Sequence, residues 1–306
     1  MTRGFSTRSL HAGGGPDAAT GARATPIHQT TSYVFDDADT AAELYALRAD
    51  GHVYSRLSNP TVNVLEERLA DLEGGSDAVA TGSGMAAFDA ITTVLASAGD
   101  NVVASSEMYG GTAAYLTSVA DRRGIETRLV ETLEYEAYAD AIDDDTAFVH
   151  VETIANPSLV TPDFERLAAI AHEHAVPLVV DNTFATPYCC RPIEHGADII
   201  WESTTKWITG SGTTVGGVVI DGGQFPWDHP EADYAELDGE SPAYPIDFVE
   251  RFGDAAFANV ARQRGVRPTG GQQSPFDAWQ TIQGLNTLPL RMERHCENAR
   301  RVAEFL

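Results

Sequence analysis

Apolar residues recur along this chain at two spacings, and the alternation between the two is its clearest feature. From Pro60 the run PTVNVLEERLADLEG places apolar residues every three to four positions and stops at Gly74, a residue suited to a helix C-cap. Short apolar runs then alternate with helical stretches. Strands are expected at 78–80, 101–105, 126–130, 147–151, 177–181, 198–201 and 216–220, with helices over 85–95, 112–122 and 162–174. Residues 1 to about 60 lack strong periodicity and read as an extended arm with one helix near 39–48. Residues 224–245 are rich in Pro, acidic and aromatic residues and read as a long ordered loop. Beyond it, 248–264, 276–285 and 292–306 read as helices.

Strands alternating with helices of this length imply βαβ crossovers and a mainly parallel sheet, whose ligands sit at the carboxyl ends of the strands. Gly82-Ser83-Gly84, Asn156, Asp181 and Ser203 to Lys206 each follow an expected strand, so they should share one edge.

Composition narrows the class. At 306 residues and 43% hydrophobic, the chain is too long for one ordinary core and too apolar for disorder, so one large α/β domain with additions is expected. The 45 acidic against 20 basic residues give a formal charge of -25, which repels phosphate backbones and excludes nucleic acid as a natural partner. No run of 18 apolar residues is present, and MTRGFSTRSLHAGGG contains no apolar signal core; neither a membrane span nor a secretory signal is expected. Three cysteines (Cys189, Cys190, Cys296) make no disulfide framework, and a cytoplasmic protein is expected. Cys189, Cys190 and His195 fit no zinc spacing, so no metal site is expected. His172 and His174 read as solvated or core-edge residues.

Of the 20 basic residues, 19 are Arg and one is Lys206. A lysine-poor acidic surface suits high internal salt, which points to a halophilic habitat. A composition that avoids lysine still keeps one, in Glu202-Ser-Thr-Thr-Lys-Trp207, and Arg cannot replace an amine that must lose its proton and attack a carbonyl. A leftover surface lysine is the equal alternative on this count alone.

Other residues add to that amine. Ser203 and Thr205 beside Lys206 suit an anionic group. Thr81-Gly82-Ser83-Gly84-Met85 is a strand-to-helix turn whose amides can approach an anion, though standing alone it reads as a plain turn. It has neither the Lys of a Walker loop nor a dinucleotide spacing. Asp181, ending the run LVVD, needs a partner such as a protonated ring nitrogen, or is a helix cap. Tyr54 and Arg56, in YSRLSNPT, offer a hydroxyl and a bidentate donor for phosphate before a helix start at Asn59-Pro60. Tyr109, in MYGGT, could stack on a planar ring and move a proton, or be a core tyrosine. Amine, carboxylate, aromatic and phosphate cup together suit pyridoxal 5'-phosphate.

YSRLSNPT, TGSGM, MYGGT, ETIANP, VVDNTFATP and STTKW, in this order, resemble the Cys/Met-metabolism family of pyridoxal-phosphate enzymes, over nearly the whole chain from about Thr7. The resemblance implies an α/β, aspartate-aminotransferase-like (fold type I) architecture with a mainly parallel central sheet. It divides the chain into an arm contacting the neighbouring subunit (1–60), a large cofactor domain (61–265) and the start of an incomplete C-terminal domain (266–306). It implies that Lys206 binds the cofactor covalently, that Asp181 pairs with the ring nitrogen, that Tyr109 covers the ring and that Asn156 lies near the ring hydroxyl. Ser83, Gly84, Met85, Ser203 and Thr205 would hold the phosphate, with Thr183 in the same cofactor-binding set. Tyr54 and Arg56 would reach the neighbour's phosphate, making a homodimer or homotetramer with shared sites.

The long segment 218–273, beginning after Gly216-Gly217 and containing GGQFPW and AYPIDFVERFGDAAF, is similar to the O-acetylhomoserine sulfhydrylase branch, as is SPFDAWQTIQGLNTLPLRMERHCENA. That branch implies γ-replacement on an O-acyl-homoserine by sulfide, giving homocysteine. Cystathionine γ-synthase or γ-lyase, methionine γ-lyase and a cofactor-binding remnant without turnover are the alternatives. Three departures stand out. Glu202 and Ser211 occupy positions where many members carry His, and no residue here matches the family's substrate-carboxylate arginine. Glu202 and Ser211 each read as either a pKa-tuning change or a neutral surface change.

Overall fold

The computed structural model describes residues 3–306 except Glu231, Asp233 and Asp238. Its centre is a seven-stranded sheet in the order β1-β7-β6-β5-β4-β2-β3, made of β1 (Asp77–Thr81), β2 (Asn101–Ser105), β3 (Glu126–Val130), β4 (Thr146–Glu152), β5 (Leu178–Asp181), β6 (Ile199–Glu202) and β7 (Gly217–Asp221). The pairs β2·β3, β2·β4, β4·β5 and β5·β6 are parallel, whereas β7 runs antiparallel to both β6 and β1. The sheet is therefore mainly parallel, as the sequence predicts. The reversed β7 brings its own start, Gly217, to the edge where the other strands end.

Period-two alternation sorts the strands into two buried faces. Val79, Val102, Ala104, Phe148, Val179, Ile199, Trp201 and Val219 belong to one core. Ala78, Ala80, Val103, Val149, Val151, Leu178, Val180, Ile200, Val218 and Ile220 belong to the other.

The helices in chain order are α1 (Phe5–His11), α2 (Ala38–Tyr45), α3 (Pro60–Glu73), α4 (Gly84–Leu95), α5 (Gly110–Ala114), α6 (Tyr135–Ala141), α7 (Phe164–His172), α8 (Thr186–Cys189), α9 (Phe248–Phe252), α10 (Ala256–Val260), α11 (Arg267–Thr269), α12 (Pro275–Leu285) and α13 (Leu288–Phe305). Helix α3 begins where Asn59 accepts from Thr61 N and Pro60 needs no amide partner, and it ends at Gly74 with φ 84°. α4 and α10 pack on the first face; α3, α7 and α12 supply the second. None of the described helices is long and apolar enough to cross a membrane.

Several elements differ from expectation. α1, α6 and α8 are additional, and they are too short for a clear 3.6-residue period. The helix expected over 112–122 starts at Gly110 and widens into a π-type turn over Tyr115–Ala120. The helix expected over 248–264 is broken into α9, a 3₁₀ turn, α10 and a second π-type stretch, Ala261–Val266. In the long loop before it, Phe225, Trp227, Tyr234 and Leu237 are buried, and Trp227 stacks on Phe257 at 5.4 Å between centroids. That loop is ordered by aromatic packing rather than by backbone ladders; positions 231, 233 and 238 within it lie outside the described residues. A buried ion pair ties these layers together. Arg262 meets both Glu66 oxygens at 2.9 and 3.0 Å and also donates to Ala78 O, while Glu66 accepts from Ala80 N.

Candidate active site

A cavity of about 600 Å³ opens at the carboxyl edge of the sheet, lined by Ser83, Gly84, Met85, Tyr109, Asn156, Asp181, Thr183, Ser203, Thr205 and Lys206. Ten of the twelve expected site residues thus share one wall. Each arrives there for a local reason. Strand β1 ends at Thr81, and Ser83 then caps α4, its Oγ accepting from Ala86 N at 3.1 Å. The first amides of α4, at Gly84 and Met85, have no intrahelical acceptor and carry the positive end of the helix dipole. A Cβ on Gly84 would stand 2.8 Å from the Ser203 Cβ, so only glycine lets this helix start lie against the β6 exit.

Asp181 closes β5 and is buried; its Oδ1 accepts from Thr183 N at 2.9 Å. The Thr183 hydroxyl in turn accepts from Ser203 N at 2.8 Å, which couples the β5 exit to the β6 exit. Burial pushes the Asp181 carboxyl up to about 6, the response of a carboxylate that lacks a cationic partner. Lys206 follows in the turn after β6, fixed by its amide to Ser203 O and by its carbonyl to Gly210 N, and its residue is exposed. Among the charged residues lining the cavity, Lys206 is the one base.

The Thr205 hydroxyl is committed elsewhere: it donates to Gly216 O at 3.1 Å and accepts from Gly216 N at 3.0 Å. It pins the lysine turn to the start of β7. Tyr109 stands at the mouth, 46% exposed, with its ring over Gly111, where a Cβ would meet Tyr109 Cε1 at 2.3 Å. Tyr54 and Arg56 lie outside the cavity. Arg56 donates to Arg267 O at 2.9 Å and sits 5.6 Å from the Tyr54 ring centroid; both residues are exposed.

Two features go beyond the sequence reading: the role of Glu152, and the neighbour that Glu202 meets. Glu152, the first residue of ETIANP, lines the cavity and accepts from Tyr109 N at 2.5 Å and from Asn156 N at 2.9 Å. One carboxylate therefore sets both expected ring-contacting residues. Burial and then the neighbouring Asp181 push it up to about 7. Its position at the end of an apolar strand, like that of Asp181, was the available signal.

The second is behind the wall. Glu202 is fully buried, which removes the surface alternative at that position, and neither of its oxygens has a hydrogen-bond partner among the described residues. It lies beside Glu73, whose Oε1 accepts from Asn182 Nδ2 at 2.5 Å. Burial, then Glu73 and Asp181, push Glu202 well above the carboxylate range, and burial pushes Glu73 up to about 8. Burial and the mutual proximity of the two carboxyls both favour the protonated form of Glu202. Ser211, by contrast, lies in an exposed turn with Thr213, its oxygen 2.8 Å away.

The donor set suits pyridoxal 5'-phosphate. Free helix-start amides and serine hydroxyls line the cavity together with a buried carboxyl that lacks a cationic partner, an amine and an aromatic ring. Fold and site together define a pyridoxal-phosphate-dependent enzyme. The model of the Cys/Met metabolism PLP-dependent enzyme family matches residues 6–306, and the chain belongs to that family. The homocysteine synthase of Schizosaccharomyces pombe is 47% identical over 304 residues, covering 99% of this chain and 71% of that protein. The O-acetyl-L-homoserine sulfhydrylase of Leptospira meyeri is 45% identical over 317 residues, covering all of this chain and 71% of that one. Among solved structures, a Campylobacter jejuni protein named for O-acetylhomoserine (thiol)-lyase activity, carrying N'-pyridoxyl-lysine-5'-monophosphate, superposes with TM-score 0.94 at 34% identity. It is matched over 99% of this chain and 75% of its own.

Proposed function

We propose that this chain converts O-acetylhomoserine and sulfide to homocysteine and acetate. The carrying observation is the placement of Lys206, Asp181 and the open α4 amides on one cavity, in a chain 45–49% identical to proteins named as sulfhydrylases and homocysteine synthases. Lys206, Asp181, Ser83, Ser203 and the amides of Gly84 and Met85 would hold pyridoxal 5'-phosphate. When bound, that group supplies an electron sink for negative charge at the substrate Cα. Thr205 serves by fixing the turn that carries Lys206.

The residues then divide the work. The Lys206 amine, once neutral, takes the proton from the substrate Cα and moves a proton at Cβ, so that acetate can leave from Cγ and sulfide can add there. Asp181 would hold a proton on the ring nitrogen, and pairing with that cation would return its own raised pKa toward the ionised form. Tyr109 covers the mouth, excludes water and assists proton transfer. Asn156 would lie near the ring hydroxyl, and Thr183 links Asp181 to Ser203. Tyr54 and Arg56 face outward and would serve the phosphate of a second copy, which makes the protein a homodimer or homotetramer. The arm 1–60 would contact that copy, 61–265 would form the cofactor domain and 266–306 would begin a C-terminal domain. Cytoplasmic location fits this chemistry.

The test is direct. Holoprotein given O-acetylhomoserine and sulfide should release homocysteine and acetate, and borohydride should fix the cofactor on Lys206. Ammonia and an oxoacid from methionine or cystathionine, with no homocysteine formed, would assign a γ-lyase instead. Borohydride labelling without any turnover would leave a binding remnant.

A further inference from the structure

Helix α13 touches both strand exits that build the cavity. Near its start Arg291 donates to Trp207 O and Ile208 O, the residues just after Lys206, at 2.5 and 3.0 Å. One turn on, the His295 ring packs against Trp207 at 4.7 Å between centroids. On the next residue the Cys296 Sγ lies 3.6 Å from the Cys189 Sγ. Cys189 ends α8, which begins five residues after Asp181 in the same β5 exit segment. Both thiols are free and both residues are exposed. After Met292, α13 has no buried residue, so its outer turns can shift without disturbing a core.

We propose that Cys189 and Cys296 are a reversible disulfide site that bolts α13 to the Asp181 segment and so locks the two halves of the cofactor cavity together. The oxidant class is a low-molecular-weight disulfide. The Cys296 thiolate attacks one sulfur of the reagent, forming a mixed disulfide and expelling one thiolate. Cys189 then loses its proton and attacks Cys296 Sγ, expelling the second thiolate. Two protein thiols and one small disulfide become one protein disulfide and two small thiols, so atoms and electrons balance. Burial, and then the neighbouring Cys296, push the Cys189 thiol up to about 12, which disfavours it as the first nucleophile; its second attack rests on the 3.6 Å proximity to Cys296. The gap must close from 3.6 Å to about 2 Å, a movement within reach of an exposed helical turn. Cys190, half-buried beside Asn182 through its carbonyl, is not part of the pair.

The consequence is on retention of the cofactor. The bridge would close a loop on the order of a hundred residues, which restricts the unfolded chain strongly. It would also tie the Lys206 turn, already held by Arg291, to the Asp181 exit.

Holoprotein should be incubated with oxidised glutathione and its thiols counted. Two of the three thiols should disappear with no retained glutathione, and dithiothreitol should restore them. A peptide joining the segments around 189 and 296 should be found, the melting temperature should rise by several degrees, and cofactor release into a filtrate should slow severalfold. Cys190→Ser should behave as the parent. Cys296→Ser, a change at an exposed position, should lose the closure and both effects. Persistent glutathione adducts, chain-to-chain dimers or a link through Cys190 would overturn the assignment. Closure with unchanged cofactor release would overturn its coupling to the cavity. The thiol count reads independently of turnover.

Discussion

The two edges of the sheet carry similar residues to opposite ends. At the carboxyl edge, Asp181, Glu152 and Glu202 are buried and their carboxyls are pushed upward. At the amino edge a second cavity of about 440 Å³ is lined by Asp100, Asp143, Asp144, Asp145, Glu173 and His174, among others. There the carboxylates serve turns. Desolvation raises Asp143, the largest single influence on it, yet hydrogen bonds from Arg128 and Asn101 at 2.7 and 2.8 Å, with others, together hold it below the usual range. Asp100 caps its own turn by accepting from Ser97 N. The difference teaches that an acidic cavity is not a site by virtue of its charge. What separates the two cavities is a buried carboxylate without a cationic partner: Asp181 and Glu152 line the first, whereas none of the acidic residues lining the second is buried.

The sharpest break in that comparison is Lys206→Arg. It keeps the positive charge and removes an amine that can be neutral, so homocysteine formation should fall by a factor of about 10³ or more, at the upper part of the range for a lost acid–base group. Adduct formation with borohydride should vanish in the mass spectrum. Asp181→Asn should follow, with kcat reduced about 10²- to 10³-fold, while the cofactor stays bound through the other contacts. A variant of Asp181 with parental kcat would remove the functional contrast between the edges.

The Glu73–Glu202 pair gives the next test. Burial raises the folded-state pKa of Glu73 from 4.5 to about 8 and raises that of Glu202 as well. The folded protein thus holds protons that the unfolded chain releases above about pH 4.5. The stability this contributes is present below that pH and drains away as pH climbs toward 8. Glu202→Gln should flatten the decline and raise the melting temperature at pH 9 by roughly 2–8 °C, the size expected for relieving an unsatisfied buried group. A parental pH profile would mean that the pair is not coupled.

Much of the carboxyl edge was legible because its signals are local. A strand followed by a polar motif places its own terminal residue, so Ser83, Asn156, Asp181 and Lys206 could be assigned to one edge before their distances were known. The direction of β7 was not legible, since an apolar run of five residues reads the same both ways. Glu73 and Glu202 are 129 positions apart, and Cys189 and Cys296 are 107 apart; proximity across such separations leaves no periodic trace. The helix expected over 248–264 broke for a different reason. Gly253, at φ 53°, and the π-type stretch, with Arg262 fixed on Glu66, bend the backbone where the apolar pattern alone continues. Glu152 was visible yet unread, although it ends an apolar strand as Asp181 does.

The smallest effect belongs to the amino edge and gives the comparison its control. Asp144 is exposed in the turn between Asp143 and Asp145, next to the start of β4. Asp144→Asn removes one charge from a chain of formal charge -25 and breaks none of the contacts that Asp143 makes. Stability from chemical denaturation should stay within about 0.5 kcal/mol of the parent, and kcat should be unchanged. Added salt should raise the melting temperature of both proteins alike, because screening relieves the same excess of negative charge in each. A large loss of turnover in Asp144→Asn would show that the amino edge does more than shape turns, and burial would no longer separate the working carboxylates from the rest.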